Sequence, residues 1–372
     1  MACSVLITGG AGFIGSHLAD ELLRHGYRVR ALDSLVPQVH GPNGKRPAYL
    51  DPEVELVKGD VRDPETVKKA LRGIDAVYHF AALVGVGQSM YEIEKYTSVN
   101  NHGTAVLLEA VAAAGCAKLV VASSMSIYGE GLYRDSRGEI RQGLQRPLSQ
   151  LRDGVWELYD DKRQPLAPLP TPESKVPSLA SVYALSKYDQ EVMSLIVGSA
   201  YRIPVVALRF FNVYGTRQAL SNPYTGVLAI FASRLLNGNS PRIFEDGLQQ
   251  RDFVSVHDVA KACRLALEND RADGRVLNIG SGTSHTVNEV SRRLARLLNR
   301  EDIEPCITGS YRTGDIRHCF ADIAAARELL GYQPKISLEE GLVDLAGWLT
   351  EQIAVDYVTK AHAELSARGL TL

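Results

Sequence analysis

Tyr183-Ala184-Leu185-Ser186-Lys187 opens a stretch that reads as a helix to about Tyr201. A tyrosine and a lysine four residues apart share one helical face, so the ammonium can stand beside the phenol and favour its ionised form. Tyrosine ordinarily titrates near ~10, and a base that works at neutral pH needs such help. Ser124 follows an apolar run and stands in Ser123-Ser124-Met125-Ser126-Ile127-Tyr128-Gly129. Its hydroxyl can hydrogen-bond the same substrate oxygen, so the three side chains suit proton removal from an alcohol. A Tyr-x-x-x-Lys pair is common on helices by chance; its weight comes from its surroundings.

The elements that must position these groups begin at the N-terminus. Ser4 to Thr8 is a short apolar, β-branched run leading into Gly9-Gly10-Ala11-Gly12-Phe13-Ile14-Gly15, and Ser16 to His25 reads as a helix. In that order Gly9 permits a tight turn, Gly12 lets backbone approach a pyrophosphate, and Gly15 lets helix and strand pack. The phosphates then meet the positive end of the helix. A second strand, Tyr27 to Leu32, ends in Asp33, where a carboxylate can accept hydrogen bonds from an adenosine ribose and disfavours the 2′-phosphate of NADP. The expected cofactor is therefore NAD. Further strands are expected at Val54 to Lys58, Ile74 to Phe80 and Lys118 to Ala122, with helices from Asp63 through Leu71 and from Thr97 to Ala114. Asp60 can face the adenine amino group or serve as a turn residue, and Ala81-Ala82 lets backbone lie against a cofactor. The alternation predicts an α/β fold with a doubly wound parallel sheet, its ligands at the carboxyl ends of the strands.

At 372 residues the chain exceeds one ordinary domain. A net charge of −2 offers no broad basic field, so no nucleic-acid partner is expected. The opening Met1-Ala2-Cys3-Ser4 shows no signal-peptide pattern and no run approaches ~20 apolar residues, so a cytoplasmic protein without a membrane span is expected. Cys3, Cys116, Cys263, Cys306 and Cys319 are scattered without metal-ligand spacing, which suggests reduced thiols and no metal.

The Gly-x-x-Gly-x-x-Gly turn, the serine-rich strand end and the Tyr183/Lys187 pair together resemble the extended short-chain dehydrogenases/reductases of the NAD-dependent epimerase/dehydratase family. The resemblance spans about residues 4 to 349. It implies a Rossmann domain over 1–207 with an insert at 130–177. A smaller, mainly substrate-binding α/β domain over 208–372 would return some segments to the first. Implied cofactor contacts are Gly9, Gly12, Phe13, Ile14, Gly15, Asp33, Asp60, Val61, Phe80, Ala81, Ala82, Asn100, Tyr183, Lys187 and Phe210. Implied substrate contacts are Ser124, Ser126, Asn212, Arg251, Arg312 and Asp315, the arginines meeting a diphosphate and Asp315 a ribose. Arginine suits that task because its planar fork donates two parallel charged hydrogen bonds. Family homodimers pair helices matching Thr97 to Ala114 and Tyr183 to Tyr201.

Met125 and Ser126 occupy positions where sugar-nucleotide dehydratases carry an aspartate and a glutamate, and elimination of water needs such an acid and base. The chemistry that remains is oxidation and reduction at one carbon. The expected activity is a nucleotide-sugar 4-epimerase, with Tyr183 as base, Ser124 on the substrate oxygen and Lys187 lowering the tyrosine pKa. The pattern from Val84 to Tyr91, the Ser-Met-Ser-Ile-Tyr-Gly turn and the long insert look most like deoxysugar epimerases acting on dTDP-L-rhamnose. UDP-glucose/galactose or UDP-glucuronate epimerisation, a 4-ketoreductase and a non-catalytic dinucleotide sensor are the alternatives. The polar insert from Glu130 to Pro177 can be a lid, a substrate clamp or a surface excursion. The C-terminal residues beyond 349 read as an appended helix.

Overall fold

The computed structural model describes residues 3–371; the start of the N-terminal expectation, Met1-Ala2, lies outside the described residues, as does Leu372. Seven short strands form its central sheet: Ser4–Thr8 (β1), Arg28–Asp33 (β2), Glu55–Lys58 (β3), Ala76–His79 (β4), Lys118–Ser124 (β5), Val205–Phe210 (β6) and Arg275–Ile279 (β7). Their order is β7-β6-β5-β4-β1-β2-β3, and every pairing is parallel. This is the doubly wound arrangement expected, with the order reversing between β1 and β4, where a crevice must open. Successive side chains divide between two buried faces. Val5, Ile7, Tyr78, Val120 and Leu208 enter one core, while Leu6, Val77, Leu119, Val121 and Val205 enter the other. Helices cover both faces, which is why these strands read as continuous apolar runs.

The principal helices are Phe13–Arg24 (α1), Pro64–Ala70 (α2), Gly103–Ala114 (α3), Val182–Tyr201 (α4), Val227–Leu236 (α5), Val256–Glu268 (α6), Val287–Leu297 (α7), Ala324–Leu330 (α8), Leu338–Leu349 (α9) and Val358–Ala367 (α10). Leu18 and Leu22 of α1 join Val259 and Cys263 of α6 in the first core, and Val67 of α2 joins Leu107 and Val111 of α3 in the second. A third core lies between α5, α7 and α9, built from Phe231, Leu235, Val290, Leu294, Leu342 and Leu345.

Three boundaries differ from expectation for local reasons. Helix α1 begins at Phe13 and not at Ser16, because Gly12 is its extended N-cap. The helix expected from Thr97 opens with a π-helical turn, Thr97–His102, before α3. Strand β7 gives no signal of its own in the sequence; flanking glycines isolate five residues that acquire strand geometry only by pairing with β6.

The insert forms a three-stranded antiparallel sheet, with Leu132–Arg134 between Ile140–Arg141 and Ala167–Leu169. It is tied down by charge. Arg317, fully buried, donates to Glu157 of the insert (2.9 Å from Nε) and to Glu245 (2.9 Å). Arg146 of the insert pairs with the same Glu245 at 2.7 Å and donates to the Asp315 carbonyl at 3.3 Å. Among the described residues no helix is long and apolar enough to cross a membrane. No group of three or more His, Cys, Asp or Glu residues among them could hold a metal ion.

Candidate active site

A cavity of about 740 Å³ runs along the carboxyl edge of the sheet from the glycine turn, past Ser124 and Tyr183, to Phe244 and α10. Its first end is shaped by backbone. Gly9 sits at φ +72°, and a Cβ there would lie 2.9 Å from the Ala81 nitrogen. At Gly15 a Cβ would lie 2.3 Å from the Gly9 carbonyl oxygen, so only glycine lets α1 approach β1 this closely. A Cβ at Gly12 meets only that same oxygen, at 3.3 Å. Gly12 caps α1 without a side-chain bond, and no acidic residue stands in the first turn, so the helix end suits a pyrophosphate. Asp33 is aimed by two amides, accepting from Ala11 N (3.1 Å) and Leu35 N (2.9 Å). The loop, the anion-ready helix end and the acid fit an NAD molecule.

Ser124 ends β5, and Tyr183 and Lys187 lie on the first turns of α4, which Ser181 caps through Ala184 N. Ser124 Oγ accepts from Ser126 N (3.2 Å) and Ser126 Oγ (2.9 Å), so its single O–H remains to be donated towards the cavity that Tyr183 also lines. Desolvation pushes the Tyr183 phenol pKa up, and the neighbouring Ser124 hydroxyl opposes it by favouring the phenolate. Lys187 differs from expectation. Its buried Nζ donates to Gln190 Oε1 at 2.7 Å, and burial pushes the amine down to about 7, opposed by the charge of Glu191. Its charge is thus not the group that sets the phenol's shift; desolvation acts on both partners of the shared helical face. Gln190 is held in turn by Thr104 Oγ1 (2.8 Å) and by His79 Nε2 (3.2 Å). His79, pushed down to about 3 by burial, stays neutral.

Towards the far end, Asn212 lines the cavity with a buried Oδ1 that has no partner. Arg312 donates through Nε (3.0 Å) and NH2 (2.6 Å) to Asp315, and its remaining donors are available at the cavity wall. Arg251 also lines the wall, but it braces the loop: NH1 donates to the carbonyls of Gln250 (2.9 Å) and Arg317 (2.8 Å).

All the residues expected from the sequence line this cavity except one: Gly9, Gly12, Phe13, Ile14, Gly15, Asp33, Asp60, Val61, Phe80, Ala81, Ala82, Ser124, Ser126, Tyr183, Lys187, Phe210, Asn212, Arg251, Arg312 and Asp315. Asn100 does not. Its side chain is consumed by Leu83 N (2.8 Å), Leu83 O (3.1 Å) and Ser186 Oγ (2.9 Å), so it holds the loop after β4 against α4. Asp60 reaches the wall, yet its carboxylate accepts from Arg62 N (2.9 Å), Nε (3.0 Å) and NH2 (2.7 Å), the turn role as much as a ligand role. Arg62 holds its pKa below the usual carboxylate range. The insert contributes no residue to the lining; it buttresses the 311–318 loop from behind. Sequence reasoning missed Gln190, Arg242, Phe244, Gln249 and the lining face of α10. None of these stands in a motif, and their role comes from packing alone.

Comparison with known proteins agrees with this geometry. The model of the NAD dependent epimerase/dehydratase family matches residues 5–149 and 157–280. The dTDP-L-rhamnose 4-epimerase of Burkholderia thailandensis is 33% identical over 354 residues, 94% of this chain and 95% of the relative. The structure of UDP-glucose 4-epimerase from Thermotoga maritima with UDP-glucose superposes with a TM-score of 0.75 at 31% identity, covering 94% of this chain and 99% of that one. The Thermus thermophilus UDP-glucose 4-epimerase in complex with NAD gives 0.74 at 31% identity, covering 94% and 100%. A match over most of the chain, joined to a glycine turn and acid that suit NAD, makes this chain a member of the NAD-dependent epimerase/dehydratase family of enzymes.

Proposed function

We propose that the protein is a nucleotide-sugar 4-epimerase that inverts C4 through a transient 4-keto sugar, with dTDP-L-rhamnose and dTDP-6-deoxy-L-talose as its substrate pair. The observation that carries this reading is the gathering of Ser124, Tyr183 and Lys187 midway along a cavity whose one end suits a dinucleotide and whose other end holds Asn212 and Arg312. NAD, when bound, supplies reversible oxidation and reduction at a single carbon. Tyr183 Oη takes the proton of the C4 hydroxyl and later returns it, while the Ser124 hydroxyl stays on that oxygen. Lys187, in its charged form, supports the phenolate. Met125 and Ser126 offer no acid or base for elimination, which favours epimerisation over dehydration. Asn212 and Arg312 hold the diphosphate and Asp315 a ribose. The resemblance to the Burkholderia enzyme supports the deoxysugar assignment; UDP-sugars are its direct competitors.

In this reading residues 1–207 chiefly hold the cofactor and 208–372 chiefly the substrate. The working form is a homodimer joined through α4, whose Leu185, Ile196 and Tyr201 are 52%, 62% and 63% exposed.

The test is incubation of the purified protein, without added cofactor, with dTDP- and UDP-sugars, following C4 inversion by NMR. Conversion is expected for the dTDP-deoxysugar, with a loss of about 10²-fold or more in Tyr183→Phe. Turnover of UDP-sugars alone would move the substrate assignment, an unchanged rate in Tyr183→Phe would remove the mechanism, and stoichiometric change at 340 nm would mark a ketoreductase instead.

A further inference from the structure

Three loops surround the glycine turn at the carboxyl edge of the sheet, and one side chain joins them. The strand order runs β4-β1-β2, so the loops after β4 and β2 flank the end of β1, where Gly9 begins the turn. The loop after β2 makes a single helical turn at Pro37–His40, and the loop after β4 makes another at Val86–Ser89. The third loop, residues 215–226 beyond β6, carries Asn222 and Tyr224. It leans on the second so closely that a Cβ at Gly85, where φ is +128°, would lie 2.9 Å from the Tyr224 Cβ. Val39, Gly87 and Asn222, one from each loop, line the cavity together with Gly9 and Gly12.

The joining side chain is Gln38. Its Nε2 donates to Gln88 Oε1 at 3.1 Å and to Asn222 Oδ1 at 2.9 Å. Other partners fix which way those two amides point. Asn222 Oδ1 also accepts from Tyr224 N at 3.1 Å, and Gln88 Nε2 donates to Glu92 Oε1 at 3.3 Å. Two carbonyl oxygens therefore face Gln38, and a carboxamide has two N–H groups, one for each. Gln88 and Asn222 are buried, while Gln38 is half-buried. A link from the loop after β2 to the loop after β4 crosses the end of β1, and so lies over the glycine turn.

We propose that Gln38 is a clasp on the dinucleotide site: its amide holds the three loops together across the place of the pyrophosphate, and NAD enters or leaves only when that amide lets go. This rests on the NAD site and is independent of which sugar is turned over. In the 4-epimerase reading above the hydride taken is the hydride returned, so the cofactor has no need to leave between turnovers.

The experiment chases labelled NAD from the full-length, NAD-loaded protein with excess unlabelled NAD and titrates the dissociation constant, for the wild type, Gln38→Ala and Gln38→Glu, with melting temperature read on each. Gln38→Ala is expected to speed release about tenfold through the loss of two hydrogen bonds. Gln38→Glu should speed it at least as much, because a carboxylate of the same size faces two carbonyl oxygens and donates to neither. The dissociation constant should rise by less than the rate, since a closed clasp slows entry and exit alike. Release at the wild-type rate in both variants overturns the clasp. So does a dissociation constant that rises by the same factor as the rate, which marks an ordinary cofactor contact. Either result leaves the epimerase reading intact, because activity is not the quantity measured.

Discussion

The amine of Lys187 and the phenol of Tyr183 are both displaced from their ordinary titration, and in opposite directions. Burial pushes the lysine down to about 7 and the tyrosine up, because each charged form is costly to desolvate. Near neutrality the amine is therefore only partly charged. A positive neighbour lowers a phenol pKa, and its removal raises it. Lys187→Met is therefore expected to move the acid limb of the kcat/KM profile to higher pH, measured from pH 6 to 10. Gln190→Leu, which removes the acceptor of the ammonium at 2.7 Å, should move it the same way by less. Superimposable profiles would show that the amine's charge does not act on the base. Tyr183 and Lys187 were legible from their spacing, whereas Gln190 was not: its position one turn beyond Lys187 is ordinary, and only the convergence of Thr104 and His79 fixes its amide.

The glycine turn and α1 separate two demands that the sequence motif runs together. Gly15 answers to packing, since a Cβ there meets the Gly9 oxygen at 2.3 Å, while a Cβ at Gly12 meets a single neighbour, the same oxygen, at a tight but less forbidding 3.3 Å. Gly15→Ala is expected to cost about 1–3 kcal/mol of stability through overpacking, read as a lowered melting temperature. Gly12→Ala should lower melting less than Gly15→Ala and weaken NAD binding about tenfold, read by titration. Equal melting losses in the two variants would contradict this division. The insert shows the same principle on a larger element. Its polar composition suggested a lid or surface excursion, but its arginine and acids are matched to Arg317, Glu245 and Asp315 on distant loops, and they stiffen the substrate loop from behind. Buried pairs of this kind add little net stability, but breaking one is costly, so they fix geometry more than they strengthen the fold.

At the scale of the molecule, the cleft lies where the sheet order reverses, with the third hydrophobic core on one side and α10 across its far end. The outer face of α4 carries the exposed Leu185 and Ile196, about three helical turns apart on one side of the helix. If that face joins two copies, Ile196→Asp shifts the protein from dimer to monomer in sedimentation velocity, because burying an unpaired carboxylate is prohibitive. A wild type that sediments as a monomer would remove the dimer.

What the sequence determined by itself was everything written in local periodicity and short-range spacing. The apolar runs of the sheet, the glycine turn with Asp33, and the Tyr183/Lys187 helix all follow from neighbours within a few turns of chain. What only the tertiary structure decided depends on partners far apart in sequence. These include β7 joining β6, Asn100 spent on Leu83 and Ser186, Arg251, expected on a diphosphate, donating to the Arg317 carbonyl, and His362 brought onto Phe244. A side chain's hydrogen-bonding capacity is finite, and which partner takes it is settled by packing, not by its neighbours along the chain.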